Sequence, residues 1–176
     1  MLQASKTIGW CLKKAEKEIK ECEESGKRVK HRGLIEIIPN IDMAKEHIKK
    51  AEENLLFANS INLDKFGFKA IESLFYSFYH CFLAIAVKFG YDSGNQTCTI
   101  SLIEFLIEEK KISLDRKFIN MMKYEEEQDN KEISIIQMRE DYTYSAEISV
   151  KKERINDLFN LCRELIAESK AIIYKI

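Results

Sequence analysis

A single proline and six glycines in 176 residues leave little material for a turn-rich β-sandwich or barrel. No alternation of apolar and polar residues persists along the chain, which argues against a sheet-based fold. The five cysteines, Cys11, Cys22, Cys81, Cys98 and Cys162, include no CxxC pair and no accompanying histidine spacing, so the common zinc and dithiol motifs are excluded. Reduced thiols, packed as small core residues, are expected, with no metal and no other cofactor. Net charge is also lacking: 28 Lys and Arg against 29 Asp and Glu give −1, which argues against coating polyanions by bulk charge. The N-terminus has lysines but no uninterrupted apolar core followed by a small-residue cleavage site, so a signal peptide is not expected and a cytoplasmic location is. The uncharged stretch from Ser73 to Val87 is shorter than the roughly 20 residues that a bilayer core requires, so no membrane span is expected.

What is present describes a soluble helical chain: 45% hydrophobic residues beside 32% charged ones, in a length that fits one domain with one core. The segment from Phe66 to Phe89, FGFKAIESLFYSFYHCFLAIAVKF, carries apolar side chains on every face around His80. Such a helix belongs at the centre of a bundle. Its aromatic surplus exceeds what one antiparallel neighbour covers, which points to a homodimer.

An amphipathic first helix over about residues 5 to 25 follows from Ile8, Cys11, Leu12, Ala15, Ile19 and Cys22, with Ser25 and Gly26 ending it. Lys27, Arg28, Lys30, His31 and Arg32 then form a basic loop, residues 27 to 32, read as a solvated linker with phosphate contact as the alternative. Strand is confined to Leu34 to Ile38 at most. Asn40 or Asp42 caps a second helix through Ala58, and Asn62 or Asp64 starts the central one, which Gly90 ends in a left-handed conformation. Residues 91 to 97, YDSGNQT, read as turn chemistry. A fourth helix is expected from Thr99 or Ser101, where Ser101 and Glu104 have capping-box spacing, and Ser113 opens a fifth segment through Met122. The acidic run Glu125, Glu126, Glu127 and Asp129 is a solvated surface, and a long last helix carries Ile155, Leu158, Cys162, Leu165 and Ile172. The fold expected is all-α: an up-and-down bundle of five or six helices, single domain over residues 1 to 176, its core built from the helices starting near residues 41, 64 and 147.

Three stretches carry a resemblance: HRGLIEIIPNIDMAKEHIKKAEENL from His31, AIESLFYSFYHCFLAIAVKFGYDSGNQTCTI from Ala70, and MREDYTYS from Met138. In this order they resemble the HEPN superfamily of prokaryotic helical bundles, and within it the small stand-alone proteins often encoded beside a minimal nucleotidyltransferase. Active members are metal-independent ribonucleases whose signature is Arg, four to six residues, then His. Arg139 matches the arginine, but the place of the histidine holds Tyr144. RNA cleavage without metal needs proton transfer near neutral pH, which an imidazole of pKa about 6.5 provides and a phenol of about 10 does not. The resemblance also implies that the nucleotidyltransferase partner modifies a tyrosine beyond the arginine, here Tyr144 before Tyr142.

The candidate residues have two readings each. Arg139 offers a planar fork for a phosphate in a cleft between the central and last helices, or pairs internally with Glu140, Asp141 or Glu72. Tyr142 and Tyr144 read first as packing residues with solvated hydroxyls, and second as stacking partners for a base. His80 reads first as a neutral, hydrogen-bonded core imidazole and second as a base supplied from another helix, with Glu72 positioned to orient it or to pair with Arg139. His47 reads as a boundary residue without a catalytic role. The expected nucleotide- or RNA-binding set is Arg139, Asp141, Tyr142, Tyr144, Glu72 and His80. The leading function is a non-catalytic nucleotide- or RNA-binding protein, paired with a nucleotidyltransferase as a toxin–antitoxin component. A metal-independent endoribonuclease using Arg139 with His80 or Tyr144 is the first alternative, and a ligand-free interaction module the second.

Overall fold

The computed structural model describes residues 3–123, 134–144 and 152–175. Along them run α1 (Gln3–Glu24), β1 (Leu34–Glu36), α2 (Ile41–Ser60), α3 (Leu63–Lys88), β2 (Tyr91–Ser93), α4 (Gln96–Glu108), α5 (Arg116–Met121), α6 (Ile135–Tyr144) and α7 (Lys152–Tyr174). Most of the described residues are helical, and the all-α bundle is the architecture. The described helices number seven rather than five or six, because the stretch ending in the Arg139 to Tyr144 hexapeptide is itself a helix.

α3 lies at the centre, surrounded within the one chain by α2, α4, α6 and α7. Phe75, Phe78 and Phe82 are buried, as are Ile71, Leu74 and Ile85. The aromatic surplus therefore finds most of its cover inside the monomer, leaving Phe66 and Tyr76 exposed. By length and composition alone α3 passes for a membrane span, but 72% of its apolar window is buried in the bundle.

Polar groups fasten α3 to its neighbours. The buried Ser77 hydroxyl donates to the Ala51 carbonyl of α2 at 2.7 Å and accepts from the Cys162 thiol of α7 at 3.0 Å. At the far end the Lys88 ammonium donates to the carbonyls of Ile172, Ile173 and Lys175, at 2.6, 3.0 and 2.9 Å. It thereby satisfies acceptors that the last turn of α7 leaves without helical partners.

The helix starts show which polar residues act as caps. Asn40 accepts from the Met43 amide, Asn62 from those of Asp64 and Lys65, Asn95 from Cys98 and Asp115 from Lys117. The last two correct the expected starts at Thr99 or Ser101 and at Ser113. Thr99 is instead buried one turn inside α4, its hydroxyl 2.9 Å from the Asn95 carbonyl, so the residue that resembles a cap bonds back to the preceding turn.

Residues 91 to 93, expected as turn, form a strand. β1 and β2 pair antiparallel with Leu34 opposite Ser93, Ile35 opposite Asp92 and Glu36 opposite Tyr91. Three residues per strand are too few to show alternation. The ribbon closes the open end of the α2–α3 hairpin, and Gly90 makes the turn into it with φ +83, where a Cβ would stand 2.9 Å from the Ile37 carbonyl oxygen. The acidic run at 125–129 and the expected helix start near 147 lie outside the described residues.

The expectation of five reduced thiols is corrected. α1 packs against α4 and β1, and this brings Cys11 and Cys98 together as a disulfide between residues 87 apart in sequence, with Cα atoms 5.9 Å apart. Only packing creates the pairing; no spacing in the sequence announces it. The face that α1 buries is otherwise small, consisting mainly of Ala4, Ile8 and Ala15, so the covalent bond carries much of its attachment. Protein purified without reductant and then denatured should show three titratable thiols, those of Cys22, Cys81 and Cys162. Replacing Cys11 by serine should lower unfolding stability by about 2–4 kcal/mol, as loss of a loop-closing crosslink does. Five reactive thiols, or an unchanged denaturation midpoint, would contradict this assignment.

Candidate functional site

α6 rises against α3 and sets Arg139 on the face of a buried ring. The guanidinium carbon lies 4.1 Å from the centroid of Phe75, and the side chain keeps 25% of its surface exposed. Phe75 is itself stacked with Tyr79, one helical turn on, with centroids 6.2 Å apart and ring planes 12° from parallel. A guanidinium carries its N–H donors in one plane, the geometry that suits a phosphate or carboxylate. It forms an ion pair with Glu140, 3.6 Å away, which realises one of the internal pairings expected from the sequence.

The other candidates divide between places. Asp141 is exposed on α6. The Tyr142 and Tyr144 side chains lie outside what the structure describes, although their backbone forms the last turn of α6. Glu72 is paired with Lys69 at 2.7 Å, within α3. His80 turns to α2, where its Nδ1 meets Nδ1 of His47 at 3.0 Å with the rings stacked at 5.3 Å. Phe75, under Arg139, and His80 are five positions apart, so about 140° separates them around the helix. Arg139 and His80 thus belong to different faces of α3.

A cleft between α3 and α7 does exist, but it opens at the end of the bundle without Arg139. It encloses about 940 Å³ among Lys88, Phe89, Lys111, Leu114, Glu168 and Ile172. The arginine is instead at the junction of α6 with α3, which corrects the expected location.

The histidine contact escaped sequence reasoning. His47 read as a boundary residue, yet it and His80 form a half-buried pair across α2 and α3. Around it lie Lys50 and the Asp92 carboxylate, and Asp92 also stands 3.7 Å from His31 Nε2. The available signal was that α2 and α3 form an antiparallel hairpin, in which residues equally far from the turn come level. Counting equally from the turn at 61–62 sets position 47 level with 76, so the hairpin alone brings 47 only to within one helical turn of 80.

Burial lowers the His80 pKa to about 4, with the neighbouring His47 and Lys50 adding to the shift. Burial and Lys50 also lower that of His47, while Asp92 opposes them. Both rings are therefore neutral at neutral pH, one donating from Nδ1 and the other accepting. Burial pushes the thiols the other way: Cys162 rises to about 12 and Cys81 rises well above its ordinary value, so neither serves as a thiolate nucleophile. No group of three or more histidine, cysteine or acidic side chains capable of holding a metal occurs among the described residues.

Comparison with family models, with curated proteins and with solved structures finds no match for this chain.

The depressed histidine pKa values have a consequence for stability. The unfolded chain takes up imidazole protons near pH 6.5 and the folded chain does so only nearer pH 4, so acidification through that window favours unfolding. The pair's contribution is whole above pH 6.5 and is lost as the pH falls toward 4. Because the rings are half exposed and screened by water, about 1–2 kcal/mol is expected rather than the full linkage. Melting temperatures in EDTA-treated buffer should fall more steeply over this range for the parent than for His80→Gln. Parallel curves would contradict the neutral pair.

Proposed function

We propose that this chain is a HEPN-type protein that binds a nucleotide or RNA through Arg139 without cleaving it. One observation carries the reading: a partly exposed guanidinium lies over the Phe75 ring, its carbon 4.1 Å from the centroid. A phosphate approaching the edge of the guanidinium gains two charge-assisted hydrogen bonds, in competition with internal partners that include the solvent-accessible carboxylate of Glu140. Asp141, Tyr142 and Tyr144 follow Arg139 in the α6 sequence and are proposed as the remaining polar and aromatic groups of the site.

Binding without cleavage follows from the proton chemistry. The position that the ribonuclease signature gives to histidine holds Tyr144, and the His80 imidazole is committed to His47 on another face. Arg139 supplies a cation for a phosphorane, but the site has no group near pKa 7 to take the 2′-hydroxyl proton. The endoribonuclease alternative therefore loses the residue it borrowed from α3.

The protein is further proposed to act as a homodimer beside a nucleotidyltransferase, as one half of a toxin–antitoxin pair. Phe57, Phe66 and Tyr76 are among the exposed aromatic side chains and are those proposed to be covered by a second copy. Nucleotide transfer onto Tyr144 would set a phosphate near Arg139 and exclude RNA from it.

Two experiments test this reading. Fluorescence anisotropy with short single-stranded RNA and with ATP should give saturable, salt-sensitive binding that Arg139→Ala weakens about tenfold or more, Arg139→Lys weakens less, and that leaves the RNA intact. Binding indifferent to Arg139→Ala would contradict the site, and metal-independent cleavage would restore the enzyme. Coexpression with a genomically adjacent nucleotidyltransferase should add a nucleotide to Tyr144, read by intact mass and peptide mapping. An unmodified peptide would remove the two-component part of the proposal while leaving the binding part standing.

A further inference from the structure

The chain has three histidines, and two of them meet although they are 33 positions apart in sequence. Their Nδ1 atoms lie 3.0 Å apart, each ring carried by a different helix. The buried Ser77 to Ala51 hydrogen bond joins the same two helices beside this point, so the packed hairpin brings the two rings within reach. Imidazole nitrogens bind a transition metal at about 2.0–2.1 Å, which sets two of them about 2.9 Å apart in adjacent square or octahedral positions and about 3.4 Å apart in a tetrahedron. The observed spacing matches the adjacent square or octahedral arrangement.

We propose that His47 and His80 form a two-histidine chelate for a divalent transition metal, with Cu²⁺ and Ni²⁺ preferred over Zn²⁺. The preference follows from the right-angle spacing and from the ordinary order of affinities for nitrogen ligands. On binding, the ring that donates from Nδ1 moves that proton to its own Nε2, and both Nδ1 lone pairs turn to the metal. No net proton is released. No third histidine, cysteine or carboxylate among the described residues completes the set, so water fills the remaining positions from the half-exposed outer side of the pair. The charges facing the site oppose one another: the Lys50 ammonium repels a cation and the Asp92 carboxylate attracts it.

This site is independent of Arg139 and of the proposed binding of RNA. A bound metal would tie α2 to α3 at the end of the hairpin where the β-ribbon closes it. Ni²⁺ is the suitable probe because it does not oxidise the free thiol of Cys22. The full chain, stripped with EDTA and titrated calorimetrically with Ni²⁺, should bind one equivalent, and its melting temperature should rise with added metal. His47→Gln and His80→Gln, each checked for helix content, should weaken binding by about tenfold or more, whereas His31→Gln should leave it intact. If either glutamine variant loses its helix content, ¹⁵N-histidine spectra of the parent decide instead, since Ni²⁺ should broaden His47 and His80 ahead of His31. No saturable binding of Ni²⁺ at tens of micromolar, binding that survives both substitutions, or first broadening at His31 would overturn the proposal.

Discussion

α3 buries most of its faces in the bundle, and each polar atom it buries must be satisfied by a neighbour or cost a few kcal/mol. Much of the rest of the structure follows from how this is done. Ser77 reaches α2 and receives the thiol of α7, Lys88 closes the end of α7, and the Tyr79 hydroxyl lies 3.3 Å from that of Thr99 in α4. His80 is satisfied by His47. Each bond fixes which face of α3 a neighbouring helix covers, so the polar minority on an apolar helix specifies the arrangement that hydrophobic burial stabilises.

That distribution also separates two kinds of chemistry. Arg139 approaches α3 over Phe75, where an apolar ring supports a cation without neutralising it. The histidines meet about a third of a turn or more away, in a setting that burial keeps neutral. A metal-free ribonuclease needs cation and proton-transfer base at one phosphate, and here each sits with a different helix. The division leaves Arg139 with α6 and the imidazoles joining α2 to α3.

The helical periodicity of the sequence made the fold legible. The central position of α3, the caps at Asn40 and Asn62 and the left-handed Gly90 all follow from local chemistry, and the structure has them. The errors arose where tertiary contact overrides a local signal. Ser101 and Glu104 have capping-box spacing, yet Asn95 starts α4 because Thr99 and Ser101 are needed on its buried side. Tyr91 to Ser93 became strand only because Leu34 to Glu36 lies alongside. Cys11 and Cys98, like His47 and His80, are pairs that only packing brings together, so neither is visible as a motif. Of the expected site, Arg139 and its pairing with Glu140 were readable from adjacency, while its seat on Phe75 required the α3–α6 contact.

The central claim is that Arg139 and His80 serve separate faces of one buried helix. The most direct test is a nucleotide titration of the intact protein followed through ¹⁵N-labelled arginine and histidine side chains in the same sample. The account predicts that the Arg139 guanidinium signal moves with ligand while the His47 and His80 rings keep their shifts and their shared ring-to-ring hydrogen bond. Concerted movement of Arg139 and His80 at one ligand concentration would show a single composite site and contradict it.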